Sequence, residues 1–181
     1  MHLRQIFQKT AVLTVILLII AITSKANDLI TARTVVTAQT PFIDMNYQSR
    51  LIDQLRTQGV KIIFVGHEMQ VVLGVDHFFK GTSTTEIVPA CIPVLNKVAV
   101  LLRTRGNTPI TVSGHTDNVG TDQGKLRRSK QQADTIAAYL WSQGIPLTNL
   151  TALGYGDTRP VSSNKSIDGA AANRRIEIVA P

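Results

Sequence analysis

Residues 109–120 read Pro109-Ile110-Thr111-Val112-Ser113-Gly114-His115-Thr116-Asp117-Asn118-Val119-Gly120, and this stretch decides the fold. Ile110 and Val112 alternate with polar residues, the period of a strand with one buried face. The strand ends at Ser113, and the Thr116-Asp117 pair followed by Gly120 sets a carboxylate on an exposed loop. Lys125 to Ser142 comes next, with Leu126, Ala133, Ile136, Ala137 and Leu140 at helical spacing. That stripe predicts a long helix with a buried face, closed by Gly144.

Working outward, Asn46 to Thr57 carries Tyr47, Leu51, Ile52 and Leu55 at helical spacing and stops at Gly59. Val60–Val65 and Met69–Val75 are strand runs joined by Gly66-His67-Glu68, which predicts a hairpin. Asp76 to Thr85 reads as a loop. Ile87 to Thr104 predicts the other long helix. Pro89 and Pro93 sit near its start, where a missing donor costs least, and Pro93 stands where the first turn would kink. Cys91, Val94, Leu95, Val98, Leu101 and Leu102 form its apolar stripe, and Gly106 ends it. Thr151–Leu153 and Arg175–Val179 supply two further strands. Trp141, beside Tyr139, is expected to pack rather than to bind. The element order predicts an α+β sandwich, a mixed β-sheet with two main helices packed on one face.

The chain has 181 residues, of which 44% are hydrophobic and 17% charged. That suits one domain with a core plus a targeting segment, and it excludes a disordered tail. The formal charge is +7, and three of the cations, Arg4, Lys9 and Lys25, lie in the first 26 residues. The mildly basic remainder gives little support for nucleic-acid binding. One cysteine, Cys91, excludes an internal disulfide and a cysteine-based zinc cluster, and its place on the apolar stripe predicts a small buried hydrophobe. Arg4 and Lys9 precede an uncharged run from Thr10 to Ser24, whose centre, Ala11 to Ile22, is almost wholly apolar. The run ends in Ser24-Lys25-Ala26, with small residues where a signal peptidase reads. Residues 1–26 therefore read as a secretory signal, with a membrane anchor helix as the alternative. Either one sets the body outside the cytoplasm. Residues 27–45 read as a linker arm and 46–181 as the domain.

Three blocks carry the function: Gly114 to Gly120; the helix from Lys125 through Ala133 to Tyr139-Leu140 and Gly144-Ile145-Pro146; and Gly154-Tyr155-Gly156-Asp157 with Pro160, Asn164, Gly169 and Asn173-Arg174-Arg175-Ile176-Glu177-Ile178. In this order and spacing they resemble the OmpA-like C-terminal domain family, over about residues 69–181. The resemblance implies a non-catalytic periplasmic module that holds peptidoglycan by the diaminopimelate side chain of the stem peptide. That group is a zwitterion, so it calls for an anion and a cation held a few ångströms apart.

The family pattern assigns the ammonium to the Asp of the Thr-Asp pair, here Asp117. The residue reading alone allows that Asp117 only caps its loop or the next helix. The family's carboxylate partner is an Arg fifteen residues on, and here that position is Gln132. Glutamine donates a hydrogen bond but brings no charge. Arg128, one helical turn earlier on the same face, is the candidate substitute cation. The cluster Lys125, Arg127, Arg128 and Lys130 otherwise reads as a solvated first turn. Of Arg174 and Arg175, only one faces the pocket, because adjacent strand residues point opposite ways, and Arg174 is the candidate. Asp76 matches the family's first loop.

No metal or other cofactor is expected: His115 and Asp117 stand two apart with no third ligand. No Ser-His-Asp or Cys-His order suggests an enzyme. The expected partners are peptidoglycan and other envelope proteins, with membrane association through the N-terminus or through partners. The segment before residue 76 also resembles the OmpA-like subunit of type IVB secretion core complexes, though no lipidation cysteine follows the apolar run. The alternative function is thus a structural subunit of such a complex with a degraded pocket, acting through protein contacts.

Overall fold

A computed structural model describes residues 45–81 and 83–181. The signal or anchor expected over 1–26 and the arm expected over 27–44 lie outside the described residues. The last residue assigned to the arm, Met45, instead opens the first helix, α1 (Met45–Thr57). Among the described residues, no helix is long and apolar enough to cross a membrane.

The sheet has five strands: β1 (Lys61–Val65), β2 (Glu68–Gly74), β3 (Ile110–Gly114), β4 (Leu150–Gly154) and β5 (Arg175–Ala180). Their order is β1-β2-β5-β3-β4. Only β3 and β4 pair in parallel, and the other neighbours are antiparallel, so the sheet is mixed. The register aligns Ile62, Val71, Ile178, Val112 and Ala152 across all five strands. The first four are buried and Ala152 packs against them, which makes one face of the sheet the core.

Helices α3 (Ile92–Arg103) and α4 (Asp122–Ser142) supply the other half of that core. Val94, Leu95, Val98, Leu101 and Leu102 come from α3, and Ala133, Ile136, Ala137 and Leu140 from α4. Leu51 and Leu55 of α1 join them. The α+β sandwich expected from the element order is the fold observed. Gly144, at φ +90, closes α4: its N–H donates to Trp141 O, and Ile145 N–H donates back to Leu140 O. A left-handed glycine after the last turn is what this reversal needs.

Several expectations need correction. The helix expected over Ile87–Thr104 is divided. Pro89–Cys91 form a 3-10 turn and α3 starts at Ile92. Pro93 is thereby the second residue of α3, where its missing N–H has no partner to lose and forces no kink. The segment read as a loop from Asp76 begins inside a one-turn helix, α2 (Val75–Phe78), whose Phe78 is buried beside Phe79. Trp141 is 57% exposed rather than packed. Leu126, assigned to the buried face of α4, is 51% exposed, and Lys125 and Ser129 are buried instead. A short helix, α5 (Ile167–Asn173), also escaped the sequence pattern, having no apolar stripe. Cys91 is buried as expected, its thiol donating to His77 O.

Candidate functional site

At one end of the sheet the chain converges from four places. Chain continuity carries β2 into α2, β3 into the loop at His115-Thr116-Asp117, and α5 into β5 through Arg174. Val75 N–H donates to Arg174 O, His115 N–H to Arg175 O, and Thr116 N–H to Gly156 O. These backbone bonds pin the three junctions to one another and to the loop at Gly156 before any side chain acts. The loop after α2 is tied to the fourth element, α4, by Thr135 Oγ1 donating to Thr84 O at 2.8 Å.

Asp76, Asp117, Arg128, Gln132 and Arg174 all line one cleft of about 210 Å³, with His115 and Thr116. Arg174 is its organiser. Its Nη1 donates to Asp117 Oδ2 at 2.6 Å, its Nη2 to Asp76 Oδ2 at 2.5 Å and its Nε to Asp76 Oδ1 at 2.8 Å. The two carboxylates raise the already high pKa of this guanidinium further, Asp76 more than Asp117. Asp117 is buried, and its Oδ1 also accepts from Val119 N–H at 3.1 Å. Asp117 therefore braces its own loop. The cap of α4 is Thr121, whose hydroxyl accepts from Gly124 N–H.

The Arg128 side chain is exposed and has no ion pair or hydrogen bond among the described residues. Gln132, one turn further along α4, is 3% exposed, and its Oε1 lacks a donor. Lys125 is not part of a solvated first turn. It is buried and paired with Asp157 at 2.5 Å and Asp122 at 3.0 Å, which raises its pKa. Lys130 is held by Asp134. The basic cluster thus contributes one side chain, Arg128, to the cleft. Arg175 turns away: its Nε donates to Glu177 Oε1 at 2.7 Å and its Nη2 to Arg159 O at 3.2 Å.

His115 is a lining residue that the sequence suggested only as a metal ligand or a catalytic base, and neither role had its partners. It stacks on Tyr155 with ring centroids 5.4 Å apart, and Arg159 Cζ lies 3.7 Å from the Tyr155 centroid. Burial, then the guanidinium of Arg175, pushes its pKa down to about 4, with Glu177 pulling upward and Arg159 adding to the depression. At neutral pH it is uncharged, so Glu177 Oε2 at 3.8 Å from its Nε2 is not an ion-pair partner. Because the unfolded imidazole titrates near its ordinary value, the unfolded state binds more protons between about pH 6.5 and 4. Stability is then full above that window and falls as the pH drops through it. We expect a loss of ~2 kcal/mol between pH 7 and 5 from this residue. Urea midpoints for wild type and His115→Gln at the two pH values test this. Equal pH dependence in both proteins refutes it. Among the described residues, no group of His, Cys, Asp or Glu side chains is placed to hold a metal ion.

Comparison with known proteins fits this arrangement. Residues 78–174, more than half of the chain, match the OmpA family. The chain belongs to the OmpA family. It is 32% identical over 131 residues to a protein named "Probable lipoprotein YiaD" of Escherichia coli K12, covering 72% of this chain and 59% of that one. It is 34% identical over 99 residues to the peptidoglycan-binding protein ArfA of Mycobacterium tuberculosis H37Rv, covering 55% of this chain and 30% of ArfA. The chain thus spans under two thirds of the length of either relative. Among solved structures, it resembles the cell wall anchor of the T6SS from Pseudomonas aeruginosa. The TM-score is 0.65 at 28% identity, over 74% of this chain and 95% of that one.

Proposed function

We propose that this chain is a non-catalytic module of the cell envelope, working in the periplasm, that holds peptidoglycan through the diaminopimelate stem peptide. The observation that carries the reading is the cleft itself. Asp117, buried and already oriented by Arg174 and Val119 N–H, keeps lone pairs for a ligand ammonium. Arg128 offers an unpaired cation for a peptide carboxylate. Opposite charges lining one cleft suit a zwitterionic peptide and not a neutral sugar. The names of ArfA and of the Pseudomonas anchor support a wall ligand.

The test is co-sedimentation with purified peptidoglycan sacculi. Wild type should pellet with the sacculi. Asp117→Ala should lose about 30-fold or more in affinity, because it leaves the ligand ammonium without its counter-charge. Arg128→Ala should lose about 3–10-fold, as expected for a more exposed charge. The fold of Asp117→Ala should persist, since Asp76 keeps its hold on Arg174. Wild type remaining in the supernatant, or Asp117→Ala pelleting like wild type, sinks the proposal.

A second reading makes the chain a docking subunit of a type IVB secretion core whose wall-binding site has decayed. Gln132 favours it, since that position of the cleft lacks the cation of the family pattern. A wild-type protein that ignores sacculi would make this the better account.

A further inference from the structure

Three residues lining the cleft carry buried polar atoms with no hydrogen-bond partner: Gln132 Oε1, Thr116 Oγ1, and both ring nitrogens of His115. All three residues are at most 5% exposed. Clustered unmet hydrogen-bonding capacity in a cleft marks a surface that a ligand's polar groups complete.

From Gln132 we infer that the cleft selects stem peptides whose diaminopimelate side chain ends in a carboxamide rather than a free carboxylate. The inference rests on the stem-peptide reading above. A carboxylate offers acceptors only. Set against Gln132 it takes a hydrogen from Nε2 and leaves Oε1 without a donor. A carboxamide has both a donor and an acceptor, and it satisfies both ends of the glutamine amide once a rotation of the Gln132 side chain brings Oε1, which is enclosed by protein, to the ligand. A guanidinium has the opposite preference, with donors only and a fork that matches a carboxylate.

Charge points the same way. Asp76 and Asp117 share the single guanidinium of Arg174, so this part of the cleft carries a net negative charge. A zwitterion adds no net positive charge there. An amidated side chain keeps its ammonium and has no carboxylate, so it brings the one positive charge that balances the pair of aspartates. Arg128, exposed at the rim, then meets a carboxylate elsewhere along the peptide.

Calorimetric titration of the purified full chain with two synthetic stem peptides tests this, the peptides differing only in carboxylate or carboxamide at that carbon. The amidated peptide should bind about 10-fold tighter to wild type. Gln132→Arg should invert the order, and Gln132→Met should abolish the preference, with thermal unfolding to verify that each variant folds. Wild type binding the free acid as tightly as the amide overturns the inference and leaves the stem-peptide reading standing, provided that sacculi are still bound through Asp117. Binding of neither peptide overturns both.

Discussion

Gly114→Ala should cost at least about 3 kcal/mol and empty the cleft of function, because the added methyl has nowhere to go. A Cβ on Gly114 would stand 2.0 Å from Ser129 O and 2.7 Å from Ser129 C, both backbone atoms of α4. No rotamer change relieves a clash with backbone, so α4 must withdraw from the end of β3. That movement opens the Ser129 Oγ bond from Gly156 N–H and separates Gln132 and Arg128 from Asp117. The φ angle of Gly114 is ordinary, so the cost is one of space alone. Gly120 is the control. It sits at φ +107 with nothing within 4 Å, so Gly120→Ala should meet backbone strain alone, at about 1–2 kcal/mol. Urea denaturation of both variants decides the matter. A Gly114→Ala midpoint at the wild-type value would contradict the packing described here.

Asn173→Ala should be the most damaging side-chain truncation near the site, at about 2–4 kcal/mol. Asn173 is fully buried and has every part of its amide engaged. Its Oδ1 accepts from Val161 N–H at 2.8 Å and Ser162 N–H at 3.1 Å. Its Nδ2 donates to Ser162 O and to Asn164 Oδ1, each at 2.8 Å. One side chain thus folds the loop before α5 and fixes the residue just ahead of Arg174. Asn173→Asp should be no better at neutral pH. The carboxylate retains the two accepted bonds but confronts Ser162 O and Asn164 Oδ1 with acceptors. Amide exchange at Val161 and Ser162 should speed up in both variants, and retention on sacculi should fall as Arg174 loses its anchor. An Asp variant as stable as wild type would show that the donated bonds contribute nothing.

The two glycine-rich blocks that signal the family, around Gly114 and around Gly154-Tyr155-Gly156, have their physical account in the same contact. A Cβ on Gly154 would meet Lys130 N at 2.5 Å, and one on Gly156 would meet Leu126 N at 3.3 Å. The first half of α4 therefore lies directly on the backbone at the ends of β3 and β4. Ser129 is fully buried at this contact, its Oγ accepting from Gly156 N–H. This also explains why hydrophobic periodicity misjudged that half of the helix. The rule assumes that the buried face holds apolar side chains. Here the buried face holds a serine, a glutamine and an ion-paired lysine, while Leu126 is turned outward. The second half, from Ala133 to Leu140, packs in the ordinary way, and there the pattern was right. α5 was missed for a related reason. It buries Gly169 and Asn173 while Ile167 is 88% exposed, so nothing apolar repeats. Its signal was the capping serine, Ser166, whose hydroxyl accepts from Gly169 N–H, with Asp168 in the first turn.

By itself the sequence determined the α+β architecture and the family, and it singled out five residues, Asp76, Asp117, Arg128, Gln132 and Arg174, that the fold brings to one cleft. Local periodicities of two and 3.6 residues, glycine stops and a loop carboxylate are encoded over short stretches, and short stretches are what a single sequence displays. The bridge from Asp76 through Arg174 to Asp117 was decided only in three dimensions, since it spans 98 residues on one side and 57 on the other. It depends on the register of β5 between β2 and β3, which aligns Arg175 with Gly74 and Ile176 with Gly114. Burial of Ile176, Ile178 and Ala180 sets that register, because a slip of one residue would carry all three to the polar face. With those three side chains directed at the helices, Arg174 is left to meet the two aspartates, and Arg175 falls on the opposite face beside Glu177. Side-chain alternation requires that one arginine face the cleft, and core packing selects which one.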